Sequence, residues 1–109
     1  MPGQVTKNEI FAYPGGVALP PVHPGRTLAA ELAARGLSAN ALALKLRVPA
    51  NRLSDIVRGQ RAISAETALR LGRYFGTGAE FWVSLQANYD LARARQDMGE
   101  TIAREVEVA

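Results

Sequence analysis

Four residues in one short stretch, Ala50, Asn51, Arg52 and Asp55, have the types and spacing to read the edges of base pairs. A carboxamide such as that of Asn51 makes a bidentate pair with adenine, and a guanidinium such as that of Arg52 makes one with guanine. Asp55, one helical turn after Asn51, either accepts from a cytosine amino group or orients Arg52 or Arg58. The Ala50 methyl suits contact with a thymine methyl. Around them stand groups suited to phosphate: Ser38, Asn40, Arg47, Arg58, Gln60 and Arg61. Ser38 and the amides that follow it form the positive end of a helix, where anions bind well. Each of these side chains is equally at home in solvent; the cluster carries the reading, not any member.

Other chemistry is poorly supplied. The chain has no cysteine and a single histidine, His23. Disulfides and thiolate sites are thereby excluded, and no donor set for a transition metal remains. His23 is expected to set the entry to the first helix. There is no nucleophile–base pair, no phosphate-cradling Gly-rich loop and no carboxylate pair at functional spacing. An enzyme is therefore the reading with least support, and no cofactor is expected.

The elements that must position the base-reading set are helices. The spacing predicts a first helix from about Pro24 to Arg35, with Leu28, Ala29, Leu32 and Ala33 on one face and Gly36 as a left-handed stop. A second runs from about Ser38, a good N-cap, to Leu46. Arg47, Val48 and Pro49 form a joint, and a third helix runs from about Ala50 to Arg58. Two short helices joined by a three-residue turn cross steeply. Ala43 is the small residue such a crossing needs, and Val48 is the apolar plug of the turn. Leu42, Leu46, Leu53 and Ile56 lock the pair, leaving the polar face of the third helix free to enter a major groove, which admits one α-helix.

A fourth helix follows Ser64 and ends at Gly76, with Gly72 inside it at a cost of ~1 kcal/mol relative to Ala. Thr77-Gly78-Ala79-Glu80 reads as a capping box opening a fifth helix that reaches about Arg95. Phe81, Trp82, Leu85 and Tyr89 form a stripe along it, apportioned between core and dimer seam. The residues from Gln96 either extend this helix or fray. The expected organisation is thus an irregular or disordered arm over residues 1–22, broken by Pro and Gly, with a candidate strand at Glu9 to Tyr13. A helix-turn-helix domain follows over residues 23–95, and a polar acidic tail over residues 96–109.

The net charge of +3 is unevenly placed. Residues 23–95 hold eleven Lys/Arg against five Asp/Glu, whereas residues 96–109 hold one Arg against four acids. A basic body with an acidic tail favours a polyanionic partner for the body. No apolar run approaches the ~18–20 residues of a membrane span. The first residues lack a basic segment followed by an apolar one. A cytoplasmic protein with no membrane partner is expected.

The stretch from His23 to about Ala94 resembles the Cro/repressor-like helix-turn-helix domains, and within them the HigA-type antitoxins of toxin–antitoxin modules. The matching pieces are HPGRTL, LALKLRVP with LSDIVRGQRAIS, ETALRLGRYFGTGAEFW and LQANYDL. The last is the most discriminating. The resemblance implies an all-α, five-helix domain and a homodimer on a palindromic operator in its own promoter. It also implies a complex with a toxin that is a ribosome-dependent mRNA endonuclease. By family position Ala50, Asn51 and Asp55 face the groove, which turns Arg52 toward phosphate. These domains often carry Gly where Arg47 stands, so either the turn differs or Arg47 accepts strain of ~1 kcal/mol. Two readings compete with the antitoxin: a stand-alone transcriptional repressor with no toxin, and an interaction module that has lost DNA binding.

Overall fold

The structure is a computed structural model that describes residues 12–13, 17–18 and 20–109. The expected arm over residues 1–22 thus lies largely outside the described residues. Of the candidate strand Glu9 to Tyr13, only the end is described. Ala12–Tyr13 (β1) pairs antiparallel with Val17–Ala18 (β2), Ala12 opposite Ala18 and Tyr13 opposite Val17. The rest is all-α, as expected: α1 (Pro24–Arg35), α2 (Ala39–Leu46), α3 (Ala50–Val57), α4 (Ala65–Phe75) and α5 (Ala79–Glu105).

Local chemistry sets most of the helix ends. The Ser38 hydroxyl accepts from the Ala41 N–H at 3.0 Å, and the Ser64 hydroxyl accepts from the Thr67 N–H at 3.2 Å. Gly36 and Gly76 close α1 and α4 in the left-handed conformation. Inside, Leu28, Leu42, Leu53, Ile56, Leu71 and Trp82 are fully buried, so every helix contributes to one core. Two glycines permit close approaches. A Cβ at Gly25 would collide with the Ile56 carbonyl, which lets the first turn of α1 sit on the end of α3. A Cβ at Gly72 would collide with the backbone of Gly78 and Ala79, so the glycine is the contact that lets α5 turn back against α4.

The capping box expected at Thr77 does not form. Gly78 is the N-cap of α5, and no side chain caps it. The Thr77 hydroxyl instead accepts from the Trp82 indole N–H at 2.9 Å. A buried indole needs an acceptor, and Thr77 is the group that supplies it. Of the two courses open to the residues after Gln96, the chain takes the helical one. A Cβ at Gly99 would meet nothing within 4 Å among the described residues, and α5 continues to Glu105.

His23 is the N-cap of α1. Its Nδ1 accepts from the Gly25 N–H at 2.9 Å, and its ring meets Tyr89 edge-on at 4.9 Å. Burial pushes its pKa below the ordinary 6.5, outweighing a hydrogen bond to the Arg61 backbone and the nearby Asp90 carboxylate. The unfolded chain therefore binds the proton more readily than the folded one. The stabilisation is complete above about pH 6.5 and is lost as pH falls through that value toward the folded pKa. The thermal midpoint should accordingly fall between pH 7 and 5.5. His23→Asn, which keeps a capping acceptor but does not titrate, should flatten that slope in melts followed by circular dichroism.

Candidate nucleic-acid interface

α2 and α3 pack directly against each other. Ala43 is buried at the contact, and the Val48 N–H returns to the Ala43 carbonyl at 3.1 Å. Arg47 closes α2 with φ 61° and ψ 47°, and it is the only non-glycine with positive φ among the described residues. Of the two possibilities at this turn, Arg47 takes the strained one, at ~1 kcal/mol.

The polar face of α3 divides in two. At its N-terminal end Ala50 and Asn51 are exposed, and the Asn51 carboxamide has no partner among the described residues. At its C-terminal end Asp55 gathers the basic cluster. Its carboxylate accepts from Arg58 Nη2 at 2.7 Å and lies 3.6 Å from Arg61 Nη2. Arg58 also reaches Gln60 Oε1 at 3.5 Å. Asp55 thus holds Arg58 and Arg61 in fixed positions, with both guanidiniums still about half exposed. Ser38 and Asn40 are exposed at the start of α2.

Arg52 stands apart from Asn51. Its side chain is 27% exposed and meets Glu66 of α4 at 3.6 Å. Glu66 in turn binds Arg70 at 3.1 Å, and Arg70 Nη1 donates to the Leu46 carbonyl at the end of α2 at 2.8 Å. The chain Arg52–Glu66–Arg70–Leu46 ties α2, α3 and α4 into one frame. Sequence reasoning missed this frame, although Glu66 and Arg70 stand at a pairing distance of i, i+4.

Gln86 was missed as well. It is buried; its Oε1 accepts from the Ile63 N–H at 2.8 Å, and its Nε2 donates to Asp90 at 2.9 Å. Ile63 belongs to the loop that carries Gln60 and Arg61. Tyr89 touches His23, which hydrogen-bonds the Arg61 backbone. The segment LQANYDL thereby acquires a physical role: its polar side chains pin the loop of Gln60 and Arg61 to α5. A polar residue one turn after Trp82, on the buried side of an apolar stripe, was the available signal. Gln86→Leu would leave the Ile63 amide buried and unpaired, costing roughly 1–3 kcal/mol. Amide exchange at Ile63 should accelerate in that variant more than exchange in α1.

The stripe on α5 is apportioned by depth. Trp82 is fully buried, Leu85 packs against the core and Tyr89 is half-buried against His23. Phe81 is exposed, its ring edge-on to Trp82 at 5.1 Å.

A helix pair of this geometry, with a bare polar N-terminal end on its second helix and oriented arginines beside it, defines a helix-turn-helix protein. Residues 28–82 match the helix-turn-helix family HTH_3. The chain is 52% identical over 80 residues to virulence-associated protein I of Dichelobacter nodosus, covering 72% of this chain and 74% of that one. The solved structure of an addiction-module antidote protein of the HigA family from Coxiella burnetii superposes with a TM-score of 0.81 at 46% identity. It covers 84% of this chain and all of that one. Pseudomonas aeruginosa antitoxin HigA, solved with the higBA promoter, superposes with a TM-score of 0.78 at 50% identity, covering 80% of this chain and 96% of that one. The chain belongs to the helix-turn-helix family, in the branch that holds the HigA-type antitoxins.

Proposed function

We propose that this chain is a sequence-specific DNA-binding antitoxin that represses its own operon as a homodimer and forms a complex with a toxin encoded beside it. The observation that carries the DNA-binding half is the division of α3. Its N-terminal end offers Ala50 and Asn51 exposed and without a side-chain partner among the described residues, while Asp55 fixes Arg58 and Arg61 at the other end. Ala50 and Asn51 read bases. Asp55 orients, and Arg58, Gln60, Arg61, Ser38 and Asn40 hold phosphates. Arg52 braces α3 against Glu66 and supports readout from behind. No enzymatic role is assigned, and the cytoplasm, where the operator lies, is the expected location. No helix among the described residues is long and apolar enough to cross a membrane.

The homodimer is supported by α5. Beyond the core it carries Leu91, Met98 and Ile102, all exposed and spaced i, i+7 and i+11 on one face. Pairing this face with a second copy would remove it from water, and on DNA the two α3 helices of the dimer should lie ~34–36 Å apart, one turn of B-DNA. The toxin half is supported by likeness to HigA-family structures.

Two measurements test the proposal. Binding to a fragment of the chain's own promoter should be sequence-selective and weaken steeply between 50 and 200 mM salt, roughly as the number of neutralised phosphates. Equal binding to scrambled DNA rejects the repressor. Co-expression with the neighbouring open reading frame should yield a stable complex. A selective repressor that co-purifies with nothing is the stand-alone alternative.

A further inference from the structure

A groove of about 260 Å³ runs between α2 and α4, sharing only Arg47 with the phosphate-suited set named from the sequence. It is lined by Lys45, Leu46, Arg47, Arg70, Arg73 and Tyr74, with no acid among them. Arg70 is already occupied by Glu66 and the Leu46 carbonyl. Lys45, Arg47 and Arg73 are exposed and form no ion pair among the described residues. Arg47 holds its place on the groove at the cost of a left-handed backbone, and strain of that kind is commonly kept where a side chain serves a site.

We propose that this groove binds phosphodiester, and that the phosphates come from DNA flanking the operator core. The inference rests on the DNA-binding reading given above and extends it from Arg47 to Lys45, Arg73 and Tyr74, which that reading does not use. Three structural relations favour DNA over an acidic protein segment. Arg47 precedes the N-terminus of α3 by three residues, so the groove opens beside the end of the helix that enters the major groove. The Arg52–Glu66–Arg70–Leu46 chain joins the groove rigidly to α3, so a duplex seated on α3 meets the groove in a fixed relation. Along α4, Arg73 stands two turns beyond Glu66, about 10 Å away at 1.5 Å per residue. That distance spans about three nucleotides at the 3.4 Å axial rise of one strand. Lys45 and Arg73 would supply the charge, and the Tyr74 hydroxyl one neutral donor.

The test uses the full chain and two duplexes. One is the shortest duplex protected when the chain footprints its own promoter; the other is the same duplex extended by five base pairs at each end. For the wild type, the extension should raise affinity about tenfold and steepen the salt dependence by roughly 0.9 per added phosphate contact. The double variant K45Q/R73Q, changed only at exposed positions, should melt as the wild type does and bind the short duplex as well. It should gain nothing from the extension. Absence of an extension effect in the wild type overturns the proposal, as does an unchanged extension effect in the variant. A poly-glutamate peptide that binds wild type but not variant, with no extension effect, would give the groove to an acidic protein and overturn it too. If the wild type fails on the short duplex itself, the failure belongs to the DNA-binding reading and takes this inference with it.

Discussion

Asn51→Ala should abolish preference for the operator while leaving general DNA binding intact. Asn51 is the one carboxamide at the exposed end of α3, and nothing within the described residues satisfies it. A bidentate pair with adenine is worth about 1–3 kcal/mol of discrimination, and a two-fold dimer presents the contact twice, so the loss is roughly 2–6 kcal/mol. Non-specific binding depends on phosphates, which Asn51 does not neutralise. The salt dependence of the variant should therefore match the wild type. Arg58→Ala is the informative contrast. It should weaken all sequences alike and flatten the salt slope by about 0.9 per lost contact. Fluorescence anisotropy on operator and scrambled duplexes at several salt concentrations reads both effects. An Asn51→Ala protein that keeps its preference would move base readout elsewhere on α3.

Trp82→Ala should lower the thermal midpoint of the domain by ~12–40 °C. The indole is fully buried, packs on Phe75 at 5.8 Å and Phe81 at 5.1 Å, and donates to Thr77. Truncating a buried aromatic costs about 3–5 kcal/mol, against a total of ~5–15 kcal/mol for a typical domain. Each kcal/mol moves the midpoint of a domain this size by ~4–8 °C. Trp82→Phe separates the components. It retains most of the volume and loses the N–H, and should cost a small fraction of the alanine variant in urea titrations. Similar losses for the two variants would mean that the Thr77 bond, rather than packing, holds the α4–α5 corner.

The parts of this fold legible in the sequence are those decided within a few residues. Ser38 and Ser64 cap helices because a hydroxyl reaches an amide three residues on. Gly36 and Gly76 end helices because a left-handed residue favours glycine. The α2–α3 crossing was legible through Ala43 and Val48. What escaped was decided across the chain. Thr77 has the sequence of a capping box, but its hydroxyl goes to the indole of Trp82. Arg52 has the chemistry of a guanine reader and the right neighbours, yet Glu66 on another helix holds it. Gln86 went unassigned because its partner, the Ile63 amide, is 23 residues away. Backbone–side chain bonds of that separation leave no periodic trace. The extension of α5 beyond Arg95 also had no marker in the sequence.

The brace from Arg52 through Glu66 and Arg70 to the end of α2 has a thermodynamic corollary. A reading head held by side-chain bonds before DNA arrives loses little chain entropy on docking. Its association should thus carry the heat-capacity change of the interface alone, free of the larger decrement that accompanies coupled folding. Cutting the brace at Glu66 would then surface first in the entropy of association, before any contact with a base is altered.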